Sequence, residues 1–158
     1  MNLSEIIEIL GVLIIENPIT IKNKFHFQIL FQLKENLKEK IRFKFIYIQP
    51  PLNEKRDEEL ENYEIPGNLI GKFKINFFVP PPTFFLEGLL NIFEITLLLV
   101  QFRYKEFEFI RVGYYVNTEL NGPIEKDSAS NLYFKSKFTE RNILTDEPRV
   151  TKFLCPFI

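Results

Sequence analysis

Three stretches of the chain alternate apolar and polar side chains with a period of two, and this pattern limits the fold more than any other feature. The longest runs from Phe25 to Leu33, where every second residue is Phe, Ile or Leu. The other two run from Ile41 to Tyr47 and from Phe73 to Val79. Side chains two residues apart lie on the same face of a β-strand, so each stretch predicts a strand with one buried face.

Two more stretches are extended but less regular. Ile6 to Ile15 is an apolar run of strand length, and Gly11 within it indicates a bulge or a bend. Ile92 to Tyr104 is apolar on both faces. Such a strand is either central and covered on both sides or exposes an apolar patch. Lys105 and Glu106 form a tight link to the next strand, so a hairpin is predicted there.

The strand after this link, from Glu108 to Asn117, has the most informative pair of faces. One face carries four residues typical of a core: Ile110, Val112, Tyr114 and Val116. The opposite face carries Phe109, Arg111, Gly113 and Tyr115. Arg and Tyr supply contact area together with hydrogen bonds, and both are enriched where proteins bind one another. The second face therefore indicates a binding surface; the alternative is a surface Arg stacked on a Tyr.

Turn signals separate these stretches and complete the predicted fold. Asn17-Pro18, Pro50-Pro51 and Pro80-Pro81-Pro82 each end a strand. The charged segment from Leu52 to Glu64 is predicted to be a loop, and Arg141 to Phe153 is predicted to be the last extended segment. Seven or eight strands with little helix predict an all-β protein, an antiparallel β-sandwich of the immunoglobulin type. A small closed barrel is the alternative.

Length, charge and cysteine content narrow the class of protein. A chain of 158 residues is typical of one domain, and its net charge of -1 does not favour a nucleic-acid partner. The single cysteine, Cys155, allows no intrachain disulfide and fits a reducing compartment. Glu5 and Glu8 interrupt the N-terminal apolar run, and Glu94 interrupts the longest one, so we expect neither a signal peptide nor a membrane span. We therefore expect a soluble intracellular protein.

Sequence patterns typical of catalysis are scarce. His26, the only histidine, falls on the polar side of its predicted strand, where a surface role is the simplest interpretation. The sequence has no cluster of Cys, His and carboxylate residues, no phosphate-binding glycine loop and no nucleophile motif. We therefore expect no enzyme activity, no metal and no cofactor. An enzyme of unrecognised type, built on His26 and Cys155, is the least favoured alternative.

Two features favour protein binding instead. Leu97, on the strand predicted to neighbour Arg111 and Tyr115, completes an aliphatic spot with a polar rim, which is typical of an interface. The alternative for Leu97 is an ordinary core position. Arg149 to Phe153 is either an ordinary last strand or an exposed edge that accepts a strand from another chain.

Several motifs taken together resemble those of one family. The stretch from Glu108 to Asn117, EFIRVGYYVN, is followed by RNIL at 141–144 and by PRVTKF at 148–153. Near the start, Glu16-Asn17-Pro18 and Phe25-His26-Phe27 fit the same pattern. This combination resembles the anti-silencing function family of histone chaperones, and the resemblance runs from about residue 6 to residue 153.

The resemblance implies an immunoglobulin-like sandwich that acts in the nucleus. Such a protein binds the dimer of histones three and four, takes part in nucleosome assembly and disassembly, and meets other histone chaperones of the chromatin-assembly pathways. It implies no catalysis, cofactor, metal, direct nucleic-acid contact or membrane. Residues 1–158 would form one core domain with a short C-terminal end and without the acidic tail common in the family. An immunoglobulin-like adaptor that binds another helix or peptide through the same face is the alternative.

The resemblance also implies which residues contact the histones. Those expected to contact histone three are Ile48, Asp57, Asn91, Ile95, Leu97, Arg111 and Tyr115. In this set Ile95 and Leu97 form the apolar centre, Arg111 pairs with an acid of the histone, and Asp57 pairs with a base. Asn91 stands where the family usually has Asp. The residues expected to pair with the tail of histone four, as an added strand, are Arg149, Val150 and Thr151.

A second site implied by the resemblance takes a short basic peptide of a partner chaperone. In this chain it would comprise Glu39, Lys40, Tyr63 and Ile65. The family has a Glu-Asp pair where this chain has Glu39-Lys40. A lysine at this position repels a basic peptide, so we expect the site to be weakened.

Overall fold

The computed structural model describes residues 2–49, 57–83, 95–120, 124–126, 132–134 and 139–155. Within those ranges it has one short helix, α1 (Leu3–Ile6), and no helix long and apolar enough to cross a membrane. The strands are β1 (Ile7–Ile14), β2 (Ile19–Thr20), β3 (Phe25–Leu33), β4 (Ile41–Ile48), β5 (Glu58–Ile65), β6 (Gly71–Val79), β7 (Thr96–Tyr104), β8 (Phe107–Leu120), β9 (Ile124–Lys126), β10 (Leu132–Phe134), β11 (Thr139–Ile143) and β12 (Arg149–Lys152).

The strands form two main sheets that pack face to face. The small sheet has the order β1-β3-β6, and the large sheet has the order β2-β11-β8-β7-β4-β5. Strand β12 pairs with the first half of β8, on the same edge that β11 uses further along. Strands β9 and β10 form a separate two-stranded ribbon. All the described pairings are antiparallel, so the predicted all-β immunoglobulin-like sandwich is confirmed.

Aromatic side chains from both sheets meet in one core. The ring of Phe27 on β3 lies 5.1 Å from that of Phe45 on β4, and the ring of Phe31 lies 5.4 Å from that of Phe43. All four rings are fully buried, and each contributes about 1.5–3 kcal/mol to folding by leaving water. The alternation predicted for these strands therefore places one face in the core and turns the other face of the large sheet away from the small sheet.

The predicted loop from Leu52 to Glu64 is wrong in its second half, because residues 58–65 form β5 on the edge of the large sheet. The register between β4 and β5 shifts at a β-bulge, where Leu60 is the extra residue. Leu60 and Tyr63 both face the core although they are three residues apart. The bulge therefore hides the period of two that a strand normally shows. Residues 52–56 lie outside the described ranges.

The predicted outward position of Phe109 is also wrong. The register between β7 and β8 shifts so that Phe102 pairs with Ile110 and Arg103 pairs with Glu108, which leaves Phe109 as the extra residue of a second bulge. Its side chain turns inward and is fully buried, 6.4 Å from the ring of Phe102. The expected core face of this strand is confirmed, because its four residues from Ile110 to Val116 are all buried.

The remaining predictions concern turns, bulges and the bounds of three strands, and the structure confirms some of them and changes others. The register of β1 shifts between Ile9 and Gly11, which confirms the predicted bulge, and residues 105–106 form the predicted turn of the β7–β8 hairpin. The predicted last segment divides into β11 and β12. The strand expected from Ile92 begins at Thr96, and residues 92–94 lie outside the described ranges.

Candidate protein-binding site

The outer face of the large sheet, which is turned away from the small sheet, brings together three of the predicted binding residues. Ile48 on β4 pairs with Leu97 on β7, and Leu97 pairs with Tyr115 on β8. The three side chains therefore form one row across three neighbouring strands. Leu97 is half-buried and Tyr115 is 38% exposed. Ile95, just before β7, is 58% exposed and extends this apolar row towards solvent.

The next row continues the apolar surface. Ile46 pairs with Leu99, and Leu99 pairs with Gly113. A Cβ atom on Gly113 would lie 2.9 Å from Leu99 Cδ2, which is closer than such atoms normally approach. The missing side chain thus makes room for Leu99 to lie over β8. These two rows show that β7 exposes an apolar patch, which was one of the two interpretations of its sequence.

Arg111 lies one row further along the same face, opposite Gln101. Its Nε donates a hydrogen bond of 2.7 Å to Glu108 Oε1, and its Nη2 donates one of 2.8 Å to Glu108 Oε2. The pKa of Arg111 is raised, chiefly by this hydrogen bonding, so the guanidinium is charged at any working pH. The ring of Phe153 lies 5.6 Å from the guanidinium and supports it from the side. Arg111 is therefore held in place rather than free to swing.

The pair with Glu108 still leaves part of Arg111 available. Its side chain is 38% exposed, whereas that of Glu108 is 14% exposed. Nη1 donates to no acceptor within the described residues. A carboxylate of a partner protein can therefore approach Nη1 while Nε and Nη2 remain bound to Glu108. This arrangement gives the apolar rows a fixed, directional positive charge at one end.

Strand β12 borders this face and offers a free backbone edge. Among the described strands it pairs with β8 alone, and its four residues are exposed. Phe153 donates its N–H to the carbonyl of Phe109, so alternate amides, those of Thr151 and Arg149, also turn towards β8. The amides of Val150 and Lys152 consequently point away from the sheet. The guanidinium of Arg149 lies 5.7 Å from the ring of Tyr115 and joins this edge to the outer face.

A cavity of about 190 Å³ opens beside the same edge, between the two sheets. It is lined by Ile9, Gly11, Val12, Ile110, Val112, Tyr114, Pro148, Val150 and Lys152. Burial raises the pKa of Tyr114 to about 12, which reflects how little water reaches this wall. A strand added to β12 would direct alternate side chains towards this apolar cavity.

The sequence matches one known protein family over nearly its whole length. The family model described as "ASF1 like histone chaperone" matches residues 4–157. The chain belongs to this family. It is 32% identical to the histone chaperone asf1a-B of Xenopus laevis, over 93% of this chain and 73% of that protein. It is 34% identical to the histone chaperone ASF1B of Arabidopsis thaliana, over 93% of this chain and 67% of that protein.

A yeast member of the family is longer. The histone chaperone ASF1 of Saccharomyces cerevisiae is 31% identical over 94% of this chain, and the matched region spans 53% of that protein. The chain thus spans about half the length of this relative. The resemblance drawn from the motifs around Arg111 and Arg149 is confirmed.

Two of the residues expected to contact histone three, Asp57 and Asn91, are not seen on the outer face. Asp57 is exposed immediately before β5. Asn91 lies outside the described residues. The outer face is therefore defined by Ile48, Leu97, Arg111 and Tyr115, with Ile95 at its border.

The four residues expected to form the second, peptide-binding groove of the family divide into two pairs with different surroundings. Glu39 and Lys40 line a shallow cavity of about 600 Å³, and Lys40 Nζ lies 3.2 Å from the carboxylate of Glu64. Tyr63 and Ile65 instead turn inward and pack against the core. The Tyr63 hydroxyl donates to the carbonyl of Phe78 at 2.7 Å, and its pKa is raised by burial and, to a lesser extent, by nearby Glu61.

His26 and Cys155 each have a structural contact of their own. The His26 ring stacks on Phe78 at 4.3 Å, and its Nε2 lies 3.0 Å from Asn76 Oδ1. Cys155 is buried, and its Sγ donates to the carbonyl of Glu108 at 3.1 Å. Burial raises the pKa of the Cys155 thiol, which makes it less reactive. The described residues contain no group of His, Cys, Asp and Glu able to hold a metal ion.

Glu108 is a member of the candidate site that sequence reasoning missed. In a regular strand, residues three apart point to opposite faces, so Glu108 would not be paired with Arg111. The bulge at Phe109 inserts one residue and brings both side chains to the outer face. Only the position of that bulge would have revealed the pair, and the sequence pattern does not fix it.

Proposed function

We propose that this chain is a histone chaperone that binds the dimer of histones three and four and takes part in nucleosome assembly and disassembly. Membership of the family supports the proposal, and one observation carries it for this chain. The row of Ile48, Leu97 and Tyr115 lies on the outer face together with the fixed guanidinium of Arg111. An apolar strip with a charge at its end fits one face of an amphipathic helix.

Histone three would dock its C-terminal helix on this strip. Apolar residues of the helix would cover Leu97 and Ile95, while an acidic residue would reach Nη1 of Arg111. The helix surface that this contact covers otherwise pairs with a second copy of histone three. The chaperone would therefore keep the histones as a dimer and release them when a better partner competes.

Histone four would make a second contact along β12. Its tail would add as a strand to the outward amides of Val150 and Lys152, with Arg149 and Thr151 in the same strand. Side chains of the tail would then enter the cavity walled by Tyr114 and Pro148. The two contacts are adjacent, because Arg149 lies over Tyr115. One histone dimer can therefore use both at once.

Partner chaperones would meet the chain at the Glu39–Lys40 turn only weakly. Lys40 forms an ion pair with the carboxylate of Glu64, and a basic peptide would have to displace Lys40 to bind that carboxylate. We assign the chain a non-enzymatic role in the nucleus and one core domain over residues 1–158. These assignments follow from the proposed function rather than from a separate observation.

A pull-down with purified core histones tests the proposal. The immobilised chain should retain histones three and four and leave the other two core histones in solution. Arg111→Glu should lose most of this binding, because it places a second carboxylate beside Glu108 and repels the acid of the histone. Retention of no histone by the wild-type chain would contradict the proposal and favour an adaptor for a different helix.

A further inference from the structure

The end of the outer face furthest from Tyr115 carries a pair of arginines. Arg42 on β4 is directly opposite Arg103 on β7 in the antiparallel register. Both side chains are half-buried and lie on the same surface as Lys44 and Arg111. Like charges directly opposite each other on neighbouring strands are unfavourable, so this arrangement needs compensation.

The neighbouring cations are compensated by carboxylates. Lys40 lies 3.2 Å from Glu64, and Lys44 lies 3.8 Å from Glu59. The same holds for Arg111, which is paired with Glu108. In the strand register Glu64 lies directly opposite Arg42, and Glu108 lies directly opposite Arg103. The carboxylate of each is bound to another cation, Lys40 or Arg111, so it offsets the charge of the arginine pair only in part.

The two arginines have neutral partners instead. Arg42 Nη2 donates to the carbonyl of Lys105. Arg103 donates to Gln101 Oε1 at 3.5 Å and to the carbonyl of Glu106 at 3.4 Å. Within the described residues no carboxylate lies within ion-pair distance of either guanidinium. A carbonyl oxygen satisfies a donor, but it does not neutralise a charge.

We propose that the Arg42–Arg103 pair is a binding site for the carboxylates of a short acidic peptide segment of another protein. A guanidinium matches a carboxylate through two parallel hydrogen bonds, and two adjacent guanidiniums match two neighbouring carboxylates. The shallow cavity beside Arg42 adds the ammonium groups of Lys38 and Lys105. Binding here would relieve the repulsion between the two arginines.

The surroundings favour a short peptide over a nucleic acid. Glu39, Glu64 and Glu106 line the same cavity as the cations, and the net charge of the chain is -1. A duplex presents a continuous row of phosphates and would meet these acids. A peptide with a few carboxylates can place them on the guanidiniums alone. The site takes a partner of opposite charge from the basic peptide expected at Glu39–Lys40, so it goes beyond the proposed histone-chaperone function.

Fluorescence anisotropy with a labelled peptide carrying a run of glutamates between Gly-Ser flanks tests the site. A twin peptide with glutamines in the same positions controls for the backbone. The double variant Arg42→Gln/Arg103→Gln should bind the glutamate peptide about tenfold more weakly than the wild-type chain. The matched control is Lys72→Gln/Lys74→Gln, which removes the same charge from exposed positions on β6. It should bind nearly as well as wild type.

A second double variant separates charge from geometry. Arg42→Lys/Arg103→Lys keeps both charges but loses the paired donors of the guanidinium groups. Its affinity for the glutamate peptide should therefore lie between that of the wild-type chain and that of Arg42→Gln/Arg103→Gln. It also decides the question if the glutamine variant fails to fold. Equal affinity of wild type and both arginine variants, or equal binding of the glutamine twin peptide, would overturn the proposal. Tighter binding of labelled duplex DNA than of the glutamate peptide would overturn it as well.

Discussion

Glu108 and Arg111 point to the same side of β8 although they are three residues apart. The bulge at Phe109 is the cause, since its extra residue turns inward and shifts the alternation by one position. The two hydrogen bonds between the side chains then fix the guanidinium in the plane that faces a partner. The carbonyl of Glu108 is held in turn by the Cys155 thiol. A backbone irregularity thus sets the direction of the charge in the candidate binding site.

Replacing Glu108 by Gln removes the charge of this partner and keeps its shape. We expect the free energy of unfolding to fall by about 1 kcal/mol, because the pair is only partly buried. Affinity for the histone dimer should fall several-fold, since Arg111 loses its fixed direction. Urea unfolding and calorimetric titration measure the two effects. Glu106→Gln, in the exposed turn of the same hairpin, is the control and should change neither.

Leu97→Arg places a charge in the middle of the apolar row. Binding of the histone dimer should fall at least about tenfold, because the guanidinium would be desolvated between Ile48 and Tyr115. The fold should persist, since Leu97 is only half-buried. Leu13→Arg, an exposed leucine on the small sheet, is the matched control. Equal loss of binding in both variants, or none in Leu97→Arg, would return Leu97 to an ordinary structural position.

Val150→Pro removes one of the two outward amides of β12 without touching the amides that bond to β8. Affinity for a peptide that carries the histone-four tail should fall several-fold through the loss of one backbone hydrogen bond. Thermal stability should change little. Thr151→Pro is the informative contrast, because it removes an inward amide and should lower the melting temperature instead. A tail peptide that binds Val150→Pro as tightly as wild type would exclude strand addition at this edge.

Tyr114 makes the free energy of unfolding depend on pH in the alkaline range. Its pKa is about 12 in the folded chain against a usual value of 10.0, so the unfolded chain releases this proton first as the pH rises. The stability it contributes is complete below about pH 10 and is lost as the pH rises towards 12. The loss amounts to about 2 kcal/mol. Urea unfolding of wild type and Tyr114→Phe at matched pH values measures it. The wild-type chain should lose more stability over this range, and parallel profiles would contradict the prediction.

The sequence predicted those parts of the fold where alternation is unbroken. Phe25 to Leu33 and Ile41 to Tyr47 place every second residue in the core, and both strands lie where the pattern indicates. The two failures, at Leu60 and at Phe109, are both bulges. Gly11 marked the bulge in β1, but Leu60 and Phe109 are ordinary strand residues whose type gives no such signal. Sequence periodicity alone cannot locate them.

The candidate site was predictable in its members but not in its arrangement. Arg111 and Tyr115 share a face by spacing alone, and the structure confirms it. The row that joins Ile48, Leu97 and Tyr115 depends on the register between three strands. Residues of different strands are brought into register by turns and packing rather than by local pattern. The pairing of Arg42 with Arg103 arises from the same kind of register and cannot be seen in the sequence either.

Size-exclusion chromatography with light scattering, on the chain mixed with purified histones three and four, tests the central claim most directly. The outer face is proposed to cover the surface through which two copies of histone three meet. The predicted peak contains one copy of this chain, one of histone three and one of histone four. Histones that elute as a tetramer, with or without the chain attached, would contradict it.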